Sequence, residues 1–184
     1  MTASAGGEFA DSPFACGCFA IINYANGKCL TVDGDNLQKN GATIYLDEYM
    51  GLDSQHWMIA MVATDQYVIV NKASYKAMIV DWNTEAEMGA NIKQWDYQGY
   101  VRQRWALVSA DIKGSQDDPT NIYGKDPLRP LIRITRVESN RSDYMIQPDV
   151  HASGWTNAVQ SLWKFIDDWL DYGVWWIFQL VKPC

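Results

Sequence analysis

Short apolar segments, some alternating with polar residues and some continuous, recur along the chain, with clusters of Gly, Asn and Asp between them. This is the pattern of strands joined by tight turns rather than of amphipathic helices. In the first third the segments are Phe19 to Asn23, Cys29 to Val32, Thr43 to Leu46 and His56 to Met61. Asn26-Gly27 predicts a hairpin turn between the first two, because both residues tolerate positive φ. Gly34-Asp35-Asn36 and Asn40-Gly41 mark the loop that follows the second.

The pattern repeats. FAIINYANGKCLTVDGDNLQKNGATIYLDEYMGLDSQHW aligns without a gap on YVIVNKASYKAMIVDWNTEAEMGANIKQWDYQGYVRQRW at a constant spacing of 48 residues (71 − 23, and 105 − 57). Asn23 falls on Asn71, Lys28 on Lys76, Val32-Asp33 on Val80-Asp81, Gly41-Ala42 on Gly89-Ala90 and Gln55-x-Trp57 on Gln103-x-Trp105. A worn third copy appears at a shift of 115 residues (159 − 44), with Phe19 on Ile134, Ile22 on Val137, Leu30 on Met145 and Ile44 on Val159. Its Trp arrives late, at Trp176, and its Gln has become Val174.

A four-strand unit of this size cannot bury its own apolar face, but three copies around a pseudo-threefold axis can close a barrel and cap it with hairpins. The repeats are expected over about 18–62, 66–108 and 131–181 of a single domain spanning 16–184, behind a flexible segment 1–15. The repeated Trp then belongs to the shared core, and the repeated Gln to hydrogen bonds that order a loop beside it. Two segments fall outside the pattern. Ser109 to Pro130, rich in Gly, Pro and Asp, predicts a long surface loop. From Ser161 to Tyr172, Leu162, Phe165, Ile166, Trp169 and Leu170 form one helical stripe opposite Lys164, Asp167, Asp168 and Asp171, which predicts a short amphipathic helix covering the core.

Composition narrows the partners. The net charge of −7 disfavours nucleic acid and anionic membranes, and no apolar run is long enough to span a bilayer. Nine Trp and ten Tyr suit either a large core or a surface that stacks flat ligands. Cys16, Cys18, Cys29 and Cys184 lack paired metal-ligand spacing, so buried or idle thiols in a reduced compartment are expected, with disulfides of Cys16, Cys18 or Cys184 left open. No secretory signal is read at the N-terminus, and a cytoplasmic location is expected, with leaderless export as the other route.

The run Gly27-Lys28-Cys29-Leu30-Thr31-Val32, then Asn40-Gly41-Ala42, Gly51 and Gln55-x-Trp57, resembles the ricin-B lectin family from about Cys18 to Leu180. The resemblance implies an all-β fold, the β-trefoil of three four-stranded repeats, and carbohydrate binding. It implies a pocket built from an Asp on the second strand, a stacking aromatic on the third, and an Asn-Gln pair near the Gln-x-Trp. Such a pocket gives sugar hydroxyls a charged acceptor and the sugar ring an aromatic platform. The acidic position falls at Thr31, Ile79 and Ile146, none of them acidic. The aromatic position falls at Asp47, at Trp95, and near Leu162 or Trp163. The Asn-Gln pair becomes Ser54-Gln55, Arg102-Gln103 and Gly173-Val174.

Only the second repeat keeps both the aromatic and the Gln. The expected site therefore centres on Trp95 as platform and Asp81 or Asp96 as acceptor, with Lys93 and Gln103 beside them. Trp82, Gln94 and Tyr97 stand nearby. Asp33 and Asp81 share the strand-face parity of the missing acid, although Asp33-Gly34 also reads as an Asp-led turn. Trp155 and Trp163, with Asp149, His151 and Gln160, supply a third-repeat pocket of different design. His56 is expected to face outward from its strand. No nucleophile elbow, zinc signature or phosphate loop is present, so no catalytic residue, metal or cofactor is expected. The expected partners are glycans or glycoproteins, with a homodimer or a toxin-complex partner as further candidates. The alternative function is a β-trefoil protein-binding module, such as a protease inhibitor or a toxin-complex subunit.

Overall fold

The structure, a computed structural model, describes residues 17–83, 89–109, 131–137, 144–149, 157–162 and 175–182. Twelve strands are found among them: β1 Cys18–Asn23, β2 Cys29–Val32, β3 Ile44–Asp47, β4 Trp57–Ala63, β5 Gln66–Asn71, β6 Ala77–Val80, β7 Ile92–Trp95, β8 Trp105–Ser109, β9 Leu131–Arg136, β10 Tyr144–Pro148, β11 Ala158–Leu162 and β12 Trp176–Lys182. The fold is an all-β trefoil. Six strands close a barrel in the order β1, β4, β5, β8, β9, β12 and back to β1, every pair antiparallel. The other six form the hairpins β2–β3, β6–β7 and β10–β11. Closure removes the free edges that an open sheet of this size would expose.

The threefold relation is written in the core. Trp57, Trp105 and Trp176 are each 0% exposed. Their indole N–H groups donate to the carbonyls of Leu30, Met78 and Ile146 at 2.9, 3.2 and 3.0 Å. A buried indole donor left without an acceptor would cost about 1–3 kcal/mol, so each Trp both fills the core and pins its own hairpin to the barrel. Ile21, Ile69 and Ile134 pack into the same cluster, one from each repeat. Around the hairpins runs a cycle of bridges in which each repeat holds the next: Thr43 with Lys93, Asn91 with Val159, and Asn157 with Tyr45.

These contacts correct the register expected for the third repeat. Leu30 corresponds to Ile146 rather than Met145, since Ile146 offers the matching carbonyl. Ile21, not Phe19, matches Ile134, and Ile44 pairs with Val32 as Ala158, not Val159, pairs with Pro148. The loops of this copy differ in length from those of the others, so one constant shift cannot follow it. The same register adds a repeated residue. The backbone N–H groups of Asp33, Asp81 and Asp149 donate to Thr43, Asn91 and Asn157 respectively, so an Asp follows the second strand in all three repeats.

Ser161 and Leu162 close β11, opposite Met145 and Tyr144, where the start of the amphipathic helix was expected. Cross-strand pairing there outweighs the helical spacing of the apolar residues. Residues 163–172 of that helix lie outside the described residues. Ser109 ends β8; the remainder of the expected loop and the segment 1–15 also lie outside them. Cys18 is disulfide-bonded, not an idle thiol, to a partner outside the described residues, whereas Cys29 is free and buried. Among the described residues no helix is long and apolar enough to cross a membrane.

Candidate functional site

In the second repeat, β6 and β7 pair with Val80 opposite Ile92 and Ile79 opposite Lys93. Strand alternation buries Ile92 and Gln94 and leaves Lys93 and Trp95 half-buried on the outer face. Asp81 leaves the end of β6 on the same side. Its Oδ2 lies 2.6 Å from Lys93 Nζ, with the two side chains 14% and 26% exposed. Asp81 Oδ1 also accepts the Asn83 backbone N–H at 3.3 Å, so the carboxylate both orders the turn and faces outward.

Trp82 and Trp95 meet above this pair, with ring centroids 4.3 Å apart and planes inclined at 56°. Together with Ile79, Asn83 and Gly41 these residues line a cavity of about 230 Å³. Gly41 comes from the first repeat, has φ +84°, and sits where an added Cβ would lie 3.5 Å from Trp95 Cζ3. The wall is held by an inter-repeat clamp. Gly41 N–H donates to the Gln94 carbonyl and Gln94 N–H to the Ala42 carbonyl, and Gln94 Nε2 donates to the Leu37 carbonyl at 2.6 Å.

The expected residues therefore divide. Asp81, Lys93 and Trp95 converge on one cavity, joined by Trp82. Asp96 lies outside its lining: Lys76 and Asn40 hydrogen-bond its carboxylate and hold it below the usual carboxylate range. Gln103 is fully buried. It accepts the Gln98 N–H and donates to the Asp96 carbonyl, and so fixes the loop after the platform. Gln55 does the same in the first repeat, between Met50 N–H and the Glu48 carbonyl. Gln94, near the site in sequence, is buried beneath it and accepts from Ser74 Oγ. Trp155 and Trp163 lie outside the described residues.

Register also corrects the third pocket. The family's acidic position falls at Gln147, one residue after the carbonyl that meets Trp176, and not at Ile146. Its aromatic position falls at Ser161, which pairs with Met145 as Trp95 pairs with Ala77 one residue before Met78. Leu162 and Trp163 come after it. In the first repeat Asp33 is engaged in turn chemistry, as its sequence suggested. Its Oδ1 accepts Asp35 N–H and its Oδ2 accepts Asn36 Nδ2 at 2.6 Å.

His56 is 2% exposed, not outward-facing. It precedes β4 rather than standing within it, and its ring lies between the Tyr49 hydroxyl, 3.1 Å from Nε2, and Asp53, 3.4 Å from Nδ1. A larger, more open cleft of about 620 Å³ lies between the β4–β5 turn and the outer faces of β8 and β9. Asp65, Gln66, Arg133 and Thr135 are among its lining, but no Trp, Tyr or Phe is among the described residues there. Among the described residues, its lining offers no ring to serve as a platform.

A trefoil of three hairpins, each pinned to the barrel by a buried Trp, is the fold of the ricin-type lectins. The chain belongs to the family described as ricin-type β-trefoil lectin domain-like, whose model matches residues 9–95 and 53–116 in two overlapping stretches. No curated protein sequence matches it. Among solved structures it is similar to a designed threefold-symmetric protein, ThreeFoil, at 21% identity and TM-score 0.67, over 89% of this chain and 99% of that one. It is similar to a ricin B-like lectin of Macrolepiota procera, solved in complex with lactose, at 11% identity and TM-score 0.61, over 89% and 95%. It is also similar to an exo-β-1,3-galactanase from Clostridium thermocellum at 20% identity and TM-score 0.67, over 90% of this chain but 30% of that one. At these identities the likeness is one of fold.

Proposed function

We propose that this chain is a non-catalytic carbohydrate-binding module whose working pocket lies in the second repeat. The observation that carries the reading is the convergence of Trp95, Trp82, Asp81 and Lys93 on one cavity of about 230 Å³. A sugar ring offers a weakly apolar face and a rim of hydroxyls that both donate and accept. Trp95 serves as the platform for the face. The Asp81 carboxylate accepts from hydroxyls and the Lys93 ammonium donates to them, both through charge-assisted hydrogen bonds. Because the two are already paired at 2.6 Å, they are oriented before the sugar arrives and neither is an isolated buried charge. Asp96 and Gln103 support the loop behind Trp95.

The Cys18 disulfide supports an oxidising compartment over the expected cytoplasmic one, since cytosolic thiols are kept reduced. The test of the function is a glycan array with the purified chain. Dose-dependent binding to defined glycans, lost in Trp95→Ala with an unchanged melting curve, is the expected result. Silence of the natural chain across the array sinks the reading.

A further inference from the structure

The cavity is too small for an extended glycan. At about 230 Å³ it lies below the roughly 300–1,000 Å³ of pockets that enclose drug-sized ligands, so it has room for one ring. What lies beside it is a row of side chains in contact. Trp82 abuts Trp95 on one side. The Arg102 guanidinium carbon sits 5.6 Å from the Trp82 ring centroid and 5.1 Å from that of Tyr100. Trp82 is 40% exposed and Tyr100 43%, so the row runs from the cavity mouth onto the surface.

The core does not require this row. At the corresponding positions of the first repeat stand Gly34 for Trp82, Leu52 for Tyr100 and Ser54 for Arg102. Large aromatics left in contact with water at one repeat and absent from its twin mark a surface with a ligand rather than a packing need. Arg102 is suited to such a role. Its guanidinium lies within cation–π range of both rings and so joins them into one row.

We propose that the second-repeat site binds an oligosaccharide, with one ring in the cavity against Trp95 and the next along the Trp82–Arg102–Tyr100 row; this rests on the carbohydrate reading above. Arg102 and Tyr100 are then the residues that set chain-length preference, and neither lines the cavity itself.

The test is calorimetric titration of the whole chain with three series: galactose and lactose, N-acetylglucosamine with its β-1,4-linked dimer and trimer, and mannose with mannobiose. In the series that binds, the disaccharide is expected to bind at least about tenfold more tightly than the monosaccharide. Tyr100→Ala and Arg102→Ala are each expected to reduce that gain severalfold, Tyr100→Ala leaving monosaccharide affinity unchanged, and Trp95→Ala is expected to weaken both. Equal affinity for the mono- and disaccharide, or a gain that survives both variants, overturns the second subsite and leaves the single pocket standing. Silence of the natural chain toward all three series overturns the carbohydrate reading, and the subsite falls with it.

Discussion

The first two repeats share a backbone and differ in what stands on it. Each hairpin is pinned by a buried Trp, and in each a Gln ties the loop before that Trp. Yet the outer face of the first hairpin carries Tyr45 and Asp47 where the second carries Lys93 and Trp95. After the preceding strand the first has Gly34 where the second has Trp82. Asp33 turns both oxygens onto its own loop, whereas Asp81 keeps one for Lys93. A fold of this kind separates the residues that hold it together from those on its outer face, and the second set can differ between copies without disturbing the first.

The largest effect expected is one that treats the copies alike. Trp57→Ala and Trp105→Ala should each destabilise the domain by about 3–5 kcal/mol, because each empties a fully buried site and orphans a carbonyl. Denaturant titration of the two variants checks this, and a markedly smaller loss in one would show that its repeat is not an equal partner in the core.

The next effect separates them. Trp95→Ala should weaken glycan binding by about 2 kcal/mol, roughly thirtyfold, as loss of an aromatic anchor does, while Asp47→Ala should leave binding unchanged. Smaller still is the contrast at the repeated acid. Asp33→Ala should cost about 1 kcal/mol of stability through its lost cap and nothing in binding. Asp81→Ala should weaken binding and cost less stability, since its ion pair is partly exposed.

The difference least visible at neutral pH concerns Cys29, whose counterpart is Ala77. Burial pushes the Cys29 thiol from 9.0 up to about 11. A group whose folded pKa is raised favours the fold below its unfolded pKa and loses that contribution as pH climbs through the folded value. Stability should therefore be level in this respect below about pH 9 and fall between about 9 and 11, and Cys29→Ala should flatten that fall in urea melts. A slope that persists in the variant assigns it elsewhere.

The parts of this picture legible in the sequence are those that repeat without a gap. The strands of the first two repeats and the pinning Trp residues follow from the ungapped register and the two-residue period of a strand, which also put Trp95 and Lys93 on one face but left Asp81 and Asp96 as alternatives beside them. The third repeat was legible only in outline. Its register shifts at each loop, and only the carbonyl accepting from Trp176 fixes which residue matches Leu30. Burial of His56 was hidden because the residue caps a short turn before β4, where strand parity no longer applies. The meeting of Arg102 with Trp82 joins two loops of one repeat that lie twenty residues apart, of which local pattern carries no trace.

Gly41 belongs to the first repeat but forms part of the wall against Trp95 in the second. Duplicated units usually diverge freely once one of them has given up a task. Here the copy without a Trp at this position still frames its neighbour's, so a change in its loop would reshape a wall it does not itself use. Divergence in such a triplicated protein is therefore shared between adjacent copies: each carries its own side chains but borrows a border.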